Sequence, residues 1–254
     1  MKRPWCHIVC YGDSGSGKTT FASTAPKPIK VFCFDRYGKD TPYLKRGKVQ
    51  ETDGGKLVFN DSGKLLIDVE YFHDRDVTEL VRGEPSGEGR GPTAYEAFIH
   101  RIREYDEEKF ATTVLDSATF AELSARKLDQ YKLNPLVKDS RQWYARSKEL
   151  MEELLLIRFA GMRSNVLVLC HVDEDKDELH GRFVRNPMLP GKLKKYLAAG
   201  YGEFYRSYVT RDEERKRVYL LQTQSDDEFN ASTQIDAPDP CPQHFEALWA
   251  NWKE

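Results

Sequence analysis

The chain has 254 residues, 39% of them hydrophobic and 31% charged, enough for one α/β domain with a full core and room for insertions. Its 39 Lys and Arg against 41 Asp and Glu leave a formal charge of −2, so any contact with nucleic acid must come from local patches rather than a strongly basic field. Five cysteines without a C-x-x-C pair, and no run near the ~18–20 apolar residues of a membrane span, exclude a disulfide framework, a zinc knuckle and a spanning helix; the expectation is a soluble cytoplasmic protein with no membrane partner.

The first element is the short β-prone run His7 to Tyr11, which reads as a buried strand. It leads into Gly12-Asp13-Ser14-Gly15-Ser16-Gly17-Lys18-Thr19, which fits the phosphate-loop pattern G-x-x-x-x-G-K-[ST] at every fixed position. Thr19 and Thr20 then open a short helix that Pro26 stops. A strand feeding a glycine turn that opens a helix directs several backbone N–H groups into one concavity, a seat for phosphate oxygens. Lys18 is expected to reach the β- and γ-phosphates, and the Thr19 hydroxyl to ligate Mg²⁺.

A second strand is expected over Ile29 to Phe34, ending at Asp35. Residues 36–64 are glycine-rich and basic and read as a long loop or β-ribbon insertion; residues 65–72 form another strand, and 82–92 a flexible loop. Thr93, with Glu96 three positions on, has the pattern of a capping box for a helix carrying Tyr95, Phe98, Ile99 and Ile102. Thr112 to Ser117 is an apolar strand ending in Asp116, the shape of the second nucleotide motif, in which a strand-end carboxylate holds Mg²⁺. Helical sequence follows from Ala118 to Tyr131, then a loop to Ser140.

Arg141 to Met162 is expected as one long helix, with Tyr144, Met151, Leu155, Trp143, Leu150, Leu154 and Ile157 on its buried face. Asn165 to His171 is the most apolar strand, suited to a central parallel position; His171 is either a γ-phosphate sensor or a strand-end polar residue. Residues 172–190 read as a loop, acidic first (Asp173, Glu174, Asp175, Asp177, Glu178), then basic with Arg182, Phe183 and Arg185. A short basic helix with Lys192, Lys194 and Lys195 is stopped at Gly200, and strands over 203–210 and 217–223 make a hairpin. The domain reading is one unit over 1–224, with insertions at 36–64 and 81–92, and a C-terminal tail over 225–254 whose amphipathic helix carries Phe245, Leu248, Trp249 and Trp252. The fold class is α/β, a mainly parallel sheet flanked by helices with a late antiparallel hairpin and the nucleotide at the strands' carboxyl edge.

The phosphate loop GDSGSGKTT, the strands IKVFCFD, TTVLDS and NVLVLCH, and the helix KDSRQWYARSKELMEELLLIRFAGM resemble the RecA-like P-loop ATPases. The likeness is to the small phage-type AAA-domain nucleotide-binding or single-strand-annealing members, and it covers most of the chain from Cys10 to Thr210. That resemblance implies ATP hydrolysis with Mg²⁺, coupled to single-stranded DNA in recombination or annealing. It also implies a homo-oligomer with nucleotide at subunit interfaces, a single-strand DNA-binding protein as a partner, and the host cytoplasm as the location.

By position, the resemblance makes Gly12 to Thr20 the nucleotide seat, Lys18, Asp35, Asp116 and His171 the catalytic set, and Thr19 with Asp116 the metal site. It makes Arg182, Phe183, Arg185, Lys192, Lys194 and Lys195 DNA contacts, these offering the cations and aromatic ring that single strands favour. Arg206, Arg215, Lys216 and Arg217 become candidates for a cation acting across a subunit interface. Relatives carry a glutamate two residues beyond the second strand's aspartate. This chain has Tyr37 there, a poor base near neutral pH, which leaves Asp35 or Asp40 to orient water or makes turnover slow. The alternatives in function are a nucleotide-switched scaffold or loader with little hydrolysis, and a P-loop kinase.

Overall fold

The computed structural model describes residues 5–35, 38–74, 92–177 and 182–252. Six parallel strands form its centre: β1 (His7–Gly12), β2 (Ile29–Cys33), β5 (Leu65–Tyr71), β6 (Thr112–Asp116), β7 (Asn165–Asp177) and β9 (Glu203–Arg211). Across the sheet these run β9-β1-β7-β6-β2-β5. On one edge, β3 (Lys48–Thr52) and β4 (Gly55–Phe59) add antiparallel strands beyond β5. On the other, β10 (Arg217–Gln222) and β11 (Cys241–Pro242) continue from β9.

The stretch Val166 to Cys170 of β7 is an unbroken apolar run because both faces of the sheet are covered there. Alternation divides each strand between two cores. Val166, Val168 and Cys170 of β7 enter one core, while Leu167 and Leu169 enter the other. The first core is covered by α3 (Ala94–Arg103), α4 (Ala118–Leu128), α5 (Ser140–Glu152) and α6 (Leu193–Gly200). The second contains Phe21 of α1 (Lys18–Ala22), Tyr43 of α2 (Thr41–Leu44) and Phe245 of α7 (Phe245–Trp252). Phe98 fixes α3 to the sheet, its ring lying 5.1–5.4 Å from those of Phe34, Phe72 and Phe32.

Local expectations change where tertiary contacts compete. The second strand stops at Cys33, one residue early, and residues 41–59 supply a short helix and the β3–β4 ribbon. The capping box at Thr93 does not form: Thr93 makes no side-chain cap bond, and the Ala94 amide donates instead to Asp74 Oδ1 at 3.0 Å. Glu96 is drawn away into an ion pair with Lys132 at 2.5 Å. The loop expected at 82–92 lies almost wholly outside the described residues, as does Tyr37.

The long helix expected over 141–162 is regular only to Glu152, then continues in wider π-type turns over Glu153–Phe159. Its buried face is Ser147, Met151, Leu154, Leu155 and Phe159, whereas Tyr144 and Ile157 are 48% and 71% exposed. The extra residue per turn rotates the face, which a constant 3.6-residue period misses. The loop expected at 172–190 is largely strand, because β7 runs on to Asp177 and pairs antiparallel with β8 (Arg182–Pro187). Gly200 is the last helical residue of α6 rather than a left-handed stop, and extended backbone at Tyr201 closes the helix.

The C-terminal segment is built into the body. Cys241 pairs with Leu221 on β10, and the Phe245 ring packs 6.3 Å from Phe21 on α1. Phe245 and Leu248 are 2% and 3% exposed, so α7 covers the sheet face behind the phosphate loop.

Candidate nucleotide site

Parallel register brings residues of four strands together at one edge. Gly12 of β1 lies beside His171 of β7, Leu169 beside Asp116 of β6, and Asp116 beside Cys33 of β2, two residues before Asp35. A pocket of about 290 Å³ opens there, lined among others by Ser14, Lys18, Thr19, Asp35, Asp116 and His171. The strand carrying Asp116 is separated from the phosphate-loop strand by β7, yet the two motifs meet across it.

The meeting point is a hydrogen bond: Thr19 Oγ1 donates to Asp116 Oδ2 at 3.0 Å. The same oxygen accepts from Tyr43 Oη at 2.9 Å. Burial, then the charge of Asp35, pushes the Asp116 carboxyl up to about 7, against the opposing pull of its two hydroxyl donors and Lys18. Lys18 is itself buried and donates to the carbonyls of Gly12 and Asp13, each at 2.8 Å; burial lowers its pKa. An ammonium held by neutral carbonyls inside its own loop has no carboxylate to give up when an anion arrives.

Gly15 and Gly17 adopt φ values of 82° and 98°, which a side chain would strain. Gly17 is closed in as well, since a Cβ there would lie 2.1 Å from Gln243 Oε1 and 2.7 Å from a Tyr219 ring carbon. The loop therefore rests against the C-terminal strands. Ser207 Oγ donates to the Ser16 carbonyl at 2.9 Å, and Gln243 Nε2 donates to Ser207 Oγ.

Asp35 stands inside the pocket, its Oδ1 accepting from Ser117 Oγ at 2.9 Å. Asp40 is bound to the ribbon instead: its carboxylate accepts from Tyr71 Oη and pairs with Lys56 at 3.5 Å. This occupies the group considered as a substitute base. His171 also lines the pocket. Burial, then the nearby Lys18 charge, lowers its pKa, and its Nε2 is buried with no hydrogen-bond partner among the described residues. An unsatisfied imidazole nitrogen facing this pocket fits a polar ligand, and the carboxylate–hydroxyl pair Asp116–Thr19 has the hard oxygen donors Mg²⁺ takes. The residues present thus suit a nucleotide with Mg²⁺.

The proposed DNA contacts are dispersed. Arg182 begins β8. Phe183 beside it is 54% exposed, and Lys192 and Lys195 are exposed on and before α6. Arg185 is held by Glu174 at 2.9 Å and Glu228 at 2.8 Å, and Lys194 by Asp175. Within this segment Glu174 is thus neutralised by Arg185, and Asp175 by Lys194 of the helix that follows. Among the candidates for a trans-acting cation, Arg206 donates to Gln222 at 3.0 Å and its guanidinium lies 3.2 Å from the Phe229 ring centroid. Arg215 is at the hairpin turn and Lys216 pairs with Glu214, whereas Arg217 lines the chain's own pocket.

Sequence reasoning missed Tyr43, Ser207, Tyr219 and Gln243. Each reaches the site from an element whose local pattern carries no nucleotide motif.

Fold and site together define a P-loop nucleotide-binding protein: a mainly parallel α/β sheet with the phosphate loop and a strand-end aspartate in contact. Residues 6–231 match the AAA domain family AAA_24, and the chain belongs to that family. No curated protein matches the chain. Among solved structures it is similar to an ATPase from the type III secretion system of pathogenic bacteria, at 12% identity and a TM-score of 0.45. That match covers 82% of this chain and 51% of the ATPase, so the chain spans about half the length of that protein. It is also similar to the flagellar accessory protein FlaH from Methanocaldococcus jannaschii (10% identity, TM-score 0.41, covering 91% of this chain and 83% of FlaH). A third likeness is to the RadB recombinase (16% identity, TM-score 0.37, covering 87% and 81%).

Proposed function

We propose that the chain is a Mg²⁺-dependent ATPase that works with single-stranded DNA in recombination or strand annealing, as a homo-oligomer. The observation that carries the nucleotide part is the Thr19–Asp116 hydrogen bond at 3.0 Å beside the buried Lys18. It joins the two motifs that the chemistry needs, 97 residues apart, at one point. Thr19 and Asp116 would hold the metal, whose part is to neutralise charge on the phosphates. Lys18 and the loop amides orient the phosphate chain, and Asp35, beside Ser117, is the acid best placed to orient water.

The DNA part is supported by a groove of about 900 Å³ next to the site, lined by Phe120 and Tyr144, by Arg126, Arg141, Lys148 and Lys194, and by Glu122, Asp173 and Asp175, with Arg126 paired to Glu122 and Lys194 to Asp175. Aromatic faces with neighbouring cations suit unstacked bases and their phosphates. Thr119 and Phe120 line this groove, and the Phe120 ring lies 5.3 Å from that of His171 in the nucleotide pocket. A second reading, a nucleotide-operated switch with slow turnover, is favoured by the engagement of Asp35 with Ser117.

The test is ATP hydrolysis by the purified protein with and without single-stranded DNA, with Lys18→Ala as the blank. DNA-stimulated turnover abolished in the blank supports the ATPase. Tight ATP binding without turnover in either condition selects the switch.

A further inference from the structure

The β9–β10 ribbon passes alongside the phosphate loop, and alternate residues on it face that loop. Ser207 of β9 bonds Ser16, and Leu221, its partner on β10, is buried in the core behind α1. Two residues back along β10, Tyr219 pairs with Val209 and sets its ring against Gly17. Two further back, Arg217 pairs with Arg211 and lines the same pocket as Lys18, Thr19, Asp116 and His171. The strand's period thus carries one line of side chains from the core, over the loop, to the pocket mouth.

Of Arg206, Arg215, Lys216 and Arg217, the cations considered for this site, Arg217 is the one that lines the pocket. Arg185, Lys194 and Lys216 are held in ion pairs, and Arg206 is stacked on Phe229 and bonded to Gln222. Among the described residues, Arg217 has neither an ion pair nor a hydrogen-bond acceptor. An unpaired guanidinium has a planar fork that matches phosphate oxygens, and it would meet an anion without first breaking an internal contact.

We propose that Arg217 contacts the phosphates of the nucleotide bound by its own chain, so that the cations lining the site, Lys18, Lys39 and Arg217, all come from one subunit. The proposal rests on the reading of this pocket as a nucleotide site. It removes the need for a cation from a neighbouring copy, and it makes the β9–β10 ribbon one wall of the site.

The test measures binding of a fluorescent ATP analogue with Mg²⁺ to wild type, Lys18→Ala, Arg217→Ala and Arg217→Lys, with thermal melting to check that each is folded. Binding by wild type that Lys18→Ala abolishes secures the nucleotide reading separately. Arg217→Ala is then expected to bind about tenfold more weakly or worse, with Arg217→Lys recovering part of the loss. Adding an excess of the Lys18→Ala chain, which retains Arg217, is expected to leave the affinity of Arg217→Ala unchanged. Recovery of affinity in that mixture would place the arginine across a subunit interface and overturn the proposal. Wild-type affinity in Arg217→Ala would overturn it too. If wild type itself fails to bind, the nucleotide reading and this proposal fall together.

Discussion

Ser207 and Ser16 are 191 residues apart in sequence, yet the hydroxyl of the first donates to the carbonyl of the second at 2.9 Å. Both are buried, and Gln243 donates to the same hydroxyl from the C-terminal segment. The phosphate loop is thus tied from behind by two elements that carry no nucleotide motif. Its shape is maintained before any ligand arrives, which limits the ordering cost of binding.

Replacing Ser207 with alanine should leave the Ser16 carbonyl and the Gln243 amide buried without their partner. A stability loss of about 1–3 kcal/mol is expected in urea unfolding. Nucleotide affinity should fall with it, because the untied loop must be ordered on binding. Wild-type affinity at reduced stability would show that the tie serves the fold alone.

Tyr43 offers a cleaner probe of Asp116. The phenylalanine variant keeps the buried ring but removes the donor to Asp116 Oδ2. The carboxylate then keeps Thr19 as its hydroxyl donor among the described residues. We expect a loss of about 1–2 kcal/mol at pH 8, where the acid is ionised, and a smaller loss at pH 5, measured by chemical denaturation. An equal loss at both pH values would assign Tyr43 to packing.

Asp116 itself sets a pH dependence. Its pKa rises from an ordinary 3.8 to about 7 in the nucleotide-free protein, so the folded state holds this proton more tightly than the unfolded chain. Stability should therefore increase as pH falls through about 7 toward 4, and decrease as pH rises through the same window. Asp116→Asn removes the ionised form and is expected to raise the melting temperature by several degrees at pH 8, with the gain vanishing near pH 5. A gain independent of pH would count against this account.

The C-terminal helix is expected to be indispensable. Phe245 is 2% exposed, its ring is packed beside Phe21, and its amide donates to Thr24 Oγ1 at 2.9 Å. Phe245→Ala should destabilise the protein by about 3–5 kcal/mol in denaturant titration. Because the lost contact backs the helix that begins at Lys18, weaker nucleotide binding should accompany the destabilisation.

The sequence by itself determined the phosphate loop, the central strands and, for the strand beginning at Asn165, its burial on both faces. These signals are local: a glycine pattern that few other chemistries need, and apolar runs bounded by turn residues. It also singled out Asp116 at a strand end, since strand, aspartate and helix follow one another directly. Periodicity lost its hold where geometry departed from the standard period, as in the π-type turns after Glu152, which expose Ile157 and bury Phe159. It lost its hold again where a distant side chain replaced a local one, as Asp74 replaces the Thr93 cap.

Only the tertiary structure decided what surrounds the loop. Tyr43 meets Asp116 across 73 residues because α2 packs over the strand ends, and Gln243 meets Ser207 across 36 because antiparallel pairing sets β11 beside β10 and β10 beside β9. The direction of a strand's alternate side chains follows from its register with a neighbour, and register is a property of the assembled sheet. That register turns Arg217 and Tyr219 toward the phosphate loop. It also neutralises Glu174 with Arg185, directly opposite on β8, in a segment whose charges read in order as an acidic loop followed by a basic one.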